Sequence, residues 1–142
     1  MLTKDYIVGL VDGEGSFTVY VRDERLPSTT KRRVKAEPRF YLKLIERDKK
    51  ILNQLKSYFG CGNVYFQKDN RRNHQHCYRF EVTNREHLRK IIIPFFEENL
   101  LQFPSKQRDF RLFCRMLTLI EQGTHHTKIG LAHLVKLKEL MH

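Results

Sequence analysis

Two carboxylates stand close together near the start of the chain, Asp12 and Glu14, in the stretch Ile7-Val8-Gly9-Leu10-Val11-Asp12-Gly13-Glu14-Gly15-Ser16-Phe17. The spacing of Tyr6, Ile7, Leu10 and Val11 predicts a helix capped by Thr3 and stopped at Gly13-Glu14-Gly15, which puts both acids at its C-terminus. The helix dipole is already negative there, so anions are disfavoured unless a cation answers them. In a basic chain that cation can be Lys or Arg. Carboxylate oxygens and the free carbonyls of a helix end are also the hard ligands that Mg2+ takes. Gly9 and Gly13 lie four apart on one helix face and permit another backbone to approach closely. Their neighbour is either a tightly packed partner or a segment of the same chain.

The sequence has 142 residues, with 27 Lys+Arg against 16 Asp+Glu and a formal net charge of +11. That length suits one domain spanning 1–142. An apolar fraction of 40%, with 10 Phe and 6 Tyr, can bury a real core and excludes a disordered basic tail. No apolar run approaches the roughly 18 residues of a membrane span, and the N-terminus lacks a secretory signal pattern. Cys61, Cys77 and Cys114 are an odd set without CxxC spacing, which excludes a disulfide framework and a four-cysteine zinc site. The expectation is an intracellular protein of a reducing compartment, either an organelle or a bacterial or archaeal cytoplasm. Its natural partner is a polyanion. Nucleic acid is preferred to a membrane surface, because the basic residues do not line one amphipathic helix.

After the first helix the period changes to two. Phe17, Val19 and Val21 alternate with Ser16, Thr18, Tyr20 and Arg22, and a charged loop follows from about Asp23 to Glu37. A second strand sets Phe40, Leu42 and Leu44 against Arg39, Tyr41 and Lys43. A helix from about Asp48 to Phe59 closes at Gly60. Next comes a hairpin, with Val64 and Phe66 against Tyr65 and Gln67, and then Tyr78, Phe80 and Val82 against Cys77, Arg79, Glu81 and Thr83. Asn84 caps a short helix stopped by Pro94. Ser105 caps a longer one running to about Gln122, and a last helix from about Thr127 carries Leu131, Leu134, Leu137 and Met141. The order α-ββ-α-ββ-α implies an α+β fold, an antiparallel sheet covered on one face by helices.

The uncovered face carries Ser16, Thr18, Tyr20, Arg22, Arg39, Tyr41, Lys43, Tyr65, Gln67, Arg79 and Glu81. Such side chains donate to and accept from base edges, and the basic ones also meet phosphates. A half-solvated sheet would carry a similar set with no ligand. The two connecting loops tip the balance, because both extend from this sheet and both are basic: Lys31, Arg32, Arg33 and Lys35 in one, Lys68, Arg71 and Arg72 in the other. A two-stranded ribbon fits the DNA major groove. A seven-residue strand, about 23 Å long, spans roughly seven base steps. His74, His76 and Cys77 are read as hairpin residues rather than ligands, and His125-His126 as loop.

The stretch around Asp12 resembles the LAGLIDADG signature of the homing endonucleases. Gly9, Leu10, Val11, Asp12, Glu14 and Gly15 fall in register, with Val8 and Gly13 in place of alanines and Glu14 in place of the second aspartate. The αββαββα order, FGCGNV after the second helix, IIIPFF and SKQRDFRLF extend the resemblance over nearly the whole chain. It implies a saddle-like sheet on double-stranded DNA and a homodimer joined through Tyr6, Gly9, Leu10 and Gly13 of the motif helix. It further implies Mg2+, or Mn2+ or Ca2+ in its place, held by Glu14 with the Gly13 carbonyl. The reaction implied is phosphodiester hydrolysis at a long pseudo-palindromic site. Two Glu14 carboxylates brought together repel, which is itself a reason for metal. Asp12 is carried over as either a catalytic or a structural residue, and Lys106 as the basic residue supporting the scissile phosphate. The polar residue that the family often places at the end of the second strand has no counterpart, since Leu44 and Ile45 stand there.

The resemblance leaves three functions open: a site-specific endonuclease, an intron maturase with RNA as partner, and a non-cleaving DNA-binding regulator. All three share the basic loops. Replacing Lys31, Arg32 and Arg33 by alanine is expected to weaken binding on every sequence. It should also flatten the slope of log K against log salt by about 3, at roughly 0.9 per lost phosphate contact, measured by fluorescence anisotropy across a salt series.

Overall fold

The first turn of helix α1 (Lys4–Glu14) is set by Thr3, whose hydroxyl accepts the Tyr6 N–H at 3.2 Å. The computed structural model describes residues 1–26, 34–68 and 75–142. Helix α1 runs directly into strand β1 (Gly15–Val21), followed by β2 (Ala36–Ile45), helix α2 (Lys49–Phe59), β3 (Asn63–Gln67) and β4 (Cys77–Val82). The antiparallel sheet has the order β1-β2-β4-β3. After it come α3 (Arg85–His87), a π turn (Leu88–Ile92), α4 (Ile93–Glu98), α5 (Pro104–Glu121) and α6 (Lys128–Glu139). The expected α+β order is present, with helices on one face of the sheet. Among the described residues no helix is long and apolar enough to cross a membrane.

Period-two alternation sends Phe17, Val19, Phe40, Leu42, Phe80 and Val82 beneath the helices, where all are buried. Phe17 is the hub, with ring centroids 4.9 Å from Phe40, 5.1 Å from Phe110 and 5.4 Å from both Phe96 and Phe113. These tilted and edge-on contacts add to the area buried. At Gly62 the backbone has φ +85°, and a Cβ there would lie 2.6 Å from the Phe80 ring, so the FGCGNV turn admits only glycine.

β1 is an edge strand. Arg22 N–H donates to Lys35 O at 2.8 Å, and this phase turns the backbone groups of Gly15 and Val19 away from β2. Lys106 of α5 donates to the Gly15 carbonyl and Lys138 of α6 to the Val19 carbonyl, so two ammonium groups cover the open edge. Pro38 sits on β2 beyond the end of β4, where its missing N–H leaves no ladder bond unmade.

The structure corrects four local expectations. Glu37 belongs to β2 rather than to the loop. β4 ends at Val82, one residue before Thr83. Pro94 does not stop the helix capped by Asn84, because the π turn before it moves the hydrogen bonding to five residues (Ile93 N–H to Leu88 O) and α4 continues through Pro94 to Glu98. Ser105 is not a cap, since α5 begins one residue earlier at Pro104, whose absent N–H is harmless in a first turn.

Candidate nucleic-acid interface and metal-binding helix end

The two acids of α1 part company in the structure. Asp12 is buried, at 5% exposure, and its carboxylate accepts the Gln102 N–H at 2.9 and 3.1 Å and the Phe103 N–H at 3.2 Å. Those amides lead into α5, so the negative charge at the end of one helix is answered by the positive end of another. Neither a Lys, an Arg nor a metal is needed there. Asp12 thus ties the end of α1 to the start of α5.

Glu14 is exposed, and among the described residues its side chain makes no hydrogen bond or ion pair. It is the last residue of α1, where carbonyls such as that of Gly13 lack intrahelical partners. Lys106 stands beside it on the Gly15 carbonyl. The donor set at this helix end is a free carboxylate with main-chain carbonyl oxygens, which suits a hard divalent cation. Among the described residues no cluster of three or more His, Cys, Asp or Glu completes a site within one chain.

Gly9 and Gly13 are exposed, and a Cβ built on either meets nothing within 4 Å. Packing inside the chain therefore does not explain them. With Tyr6 at 49% exposure and Leu10 half-buried, they form an open stripe on α1.

On the polar face of the sheet the register aligns side chains in cross-strand rows. Ser16, Tyr41, Glu81 and Asn63 form one row, Thr18 and Arg39 another, and Lys43, Arg79 and Tyr65 a third. All the sheet residues expected to meet DNA lie on this face. Its centre is internally paired. Arg39 bonds Glu37 at 2.8 Å and brings Nε to 2.8 Å from Glu81 Oε1, Arg79 reaches the same oxygen at 3.6 Å, and the Arg79 guanidinium lies 3.6 Å over the Tyr41 ring. Both guanidinium groups approach Glu81 Oε1 off the line of a hydrogen bond, and Arg79 Nε is buried with no partner among the described residues. Tyr65 and Lys68 are exposed, and Arg22, Lys35, Lys43 and Gln67 half-buried. Lys31, Arg32, Arg33, Arg71, Arg72 and His74 lie outside the described residues.

Two site features carried no sequence signal. The amides that bind Asp12 are main chain and have no residue code. Lys138 reads as the solvent side of a leucine-striped helix, yet it donates to Thr18 Oγ1 at 3.2 Å on the polar face. Burial, and after it the charge of Arg39, lowers its pKa.

Fold and site define a domain that offers a mixed polar sheet and an unanswered carboxylate at the sheet's rim. The family model described as LAGLIDADG endonuclease matches residues 7–117, and the chain belongs to that family. It is 32% identical over 111 residues to the "Probable intron-encoded DNA endonuclease 1" of Mycosarcoma maydis, covering 78% of this chain and 35% of that protein. The crystal structure of the homing endonuclease I-TnaI superposes with a TM-score of 0.79 at 36% identity, over 99% of this chain and 88% of the other. The LAGLIDADG homing endonuclease I-GzeII in complex with its DNA target gives a TM-score of 0.81 at 27% identity, over 100% of this chain and 44% of the other.

The joint role of Asp12 is testable without a nucleic acid. Asp12→Ala removes the acceptor of two part-buried amides, and is expected to lower folding stability by about 1–3 kcal/mol in urea denaturation, whereas Glu14→Ala should change it by less than about 0.5 kcal/mol.

Proposed function

We propose that the protein is a site-specific, metal-dependent endonuclease that cuts double-stranded DNA as a homodimer at a long pseudo-palindromic site, within a reducing compartment. The observation that carries this reading is the exposed Glu14, placed where α1 hands over to β1 and hence to the polar face. A chain meant only to bind would gain nothing from a bare anion beside its cationic surface. Membership of the endonuclease family supports the same reading.

Glu14 and the Gly13 carbonyl would hold Mg2+, with Mn2+ or Ca2+ able to replace it, and the second copy would bring the same pair. When bound, the ion supplies an activated water and charge stabilisation at the phosphodiester. Ser16, Thr18, Tyr20, Arg22, Tyr41, Lys43, Tyr65 and Gln67 line the groove and contact bases and phosphates. Glu81 and Glu37 fix the directions of Arg39 and Arg79. Lys106, held at Gly15 next to Glu14, presents its positive charge to the phosphate being cut. The open stripe of Tyr6, Gly9, Leu10 and Gly13 meets its own copy across a two-fold axis, which brings the two Glu14 side chains together.

Glu14→Gln is expected to abolish cleavage of the selected duplex in Mg2+ while leaving Kd in Ca2+ within about twofold, since the exchange keeps the shape and removes one metal ligand. Cutting at the wild-type rate would overturn the metal assignment, and preferential capture of RNA over duplex in the same assay would favour the maturase reading. Gly9→Leu separates fold from association. With open space around Gly9, its thermal unfolding should be unchanged or raised, while sedimentation velocity shows loss of the dimer.

A further inference from the structure

Lys138 belongs neither to the motif helix nor to a strand, yet its ammonium arrives on the polar face. From the end of α6 it passes the open edge of β1, donates to the Val19 carbonyl, and donates to Thr18 Oγ1 at 3.2 Å. Its position is therefore tied to main chain on one side and aimed at one groove-facing hydroxyl on the other. Thr18 stands directly across from Arg39 in the β1–β2 register, so a second cation flanks the same spot.

The polarity of the Lys138–Thr18 bond is settled by chemistry. An ammonium has three N–H donors and no lone pair, whereas a hydroxyl has one proton and two lone pairs. In this bond Thr18 Oγ1 must be the acceptor, and its proton points elsewhere. Among the described residues Thr18 Oγ1 donates to no protein acceptor, so that proton is available to a ligand on the open face. Accepting a bond from a cation also makes the hydroxyl a stronger donor.

We propose that Lys138 is a positioning residue that commits Thr18 to donating, so that the half-site position facing Thr18 is selected for a keto base. Guanine O6 and thymine O4 accept such a proton in the major groove, while the amino groups that cytosine and adenine carry at the corresponding places are donors that oppose it; N7 accepts on both purines and does not discriminate. The ammonium itself and Arg39 reinforce the preference, since both favour acceptor oxygens and ring nitrogens over amino groups. The inference rests on the duplex-DNA reading above and adds the base class at one position.

The test is a binding selection in Ca2+ from a duplex library randomised across the half-site, with the full chain and its Lys138→Met, Lys138→Arg and Thr18→Val variants. Wild type is expected to enrich guanine or thymine at one position of each half-site. Lys138→Met should erase that preference by about fivefold, the scale of one hydrogen bond, and leave the other positions as they were. Thr18→Val should lose the same position, and Lys138→Arg, which also only donates, should keep it. A wild-type profile in Lys138→Met overturns the proposal. So does an even weakening at every position, which is what a merely edge-covering lysine would give. Changes at different positions in Lys138→Met and Thr18→Val overturn it as well. If wild type selects no duplex at all, the DNA reading falls and takes the inference with it; a selected site that Lys138→Met leaves untouched removes the inference alone.

Discussion

The head-to-tail meeting of two helix ends across the Asp12 carboxylate is the constraint on which the site depends. An anion at the end of α1 would raise the energy of that helix, and the same anion before the first turn of α5 lowers it. By accepting from Gln102 and Phe103, Asp12 makes one carboxylate serve both ends. The joint also fixes distance. Phe103 is the residue from which α5 starts, so Lys106 falls within its first turn and reaches Gly15, the residue after Glu14. A motif that carries two acids thus divides them: one is spent on architecture and the other stands exposed beside a lysine.

The polar sheet face follows a different logic. Arg39, Arg79, Glu37 and Glu81 have side chains only 16–28% exposed, so they are neither surface ion pairs of negligible worth nor buried charges demanding full compensation. Their value is directional. Two guanidinium groups aimed at one carboxylate, with Tyr41 packed under Arg79, lose rotamer freedom on folding rather than on binding, which lowers the entropy cost of meeting a ligand. The lysines at the edge of β1 act likewise: each is anchored on a main-chain carbonyl, so its charge sits at a defined place instead of sweeping through solvent.

Much of this was legible in the residue pattern because it depends on periodicity. Alternation alone separates Phe17 and Val19 from Ser16, Thr18 and Tyr20, and the register confirms that division across the four strands. The end of α1 was equally readable from Thr3 and the Gly13-Glu14-Gly15 stretch. What resisted reading depends on partners distant in sequence. Nothing in Gln102 or Phe103 announces that their amides will bind a residue 90 positions earlier. Pro94 reads as a stop in any helix, and only the π turn before it makes room. Lys138 has an unremarkable helical spacing, and its reach to Thr18 is set by how α6 lies along β1.

The glycines carry the argument one step further, because they fall into two physical kinds. At Gly15 a Cβ would lie 2.6 Å from the Val11 side chain, and at Gly130 1.9 Å from the Thr124 carbonyl, so both are demanded by contacts inside the chain. Gly9 and Gly13 have open space around them and sit within a helix that each weakens by about 1 kcal/mol relative to alanine. Folding alone would be better served by alanine at both. A bare backbone on this stripe admits an approach from outside at a separation too short for a methyl group. In the proposed homodimer a second copy of the same helix would make that approach, and in doing so would draw the two exposed Glu14 carboxylates together, where a divalent cation would relieve their repulsion.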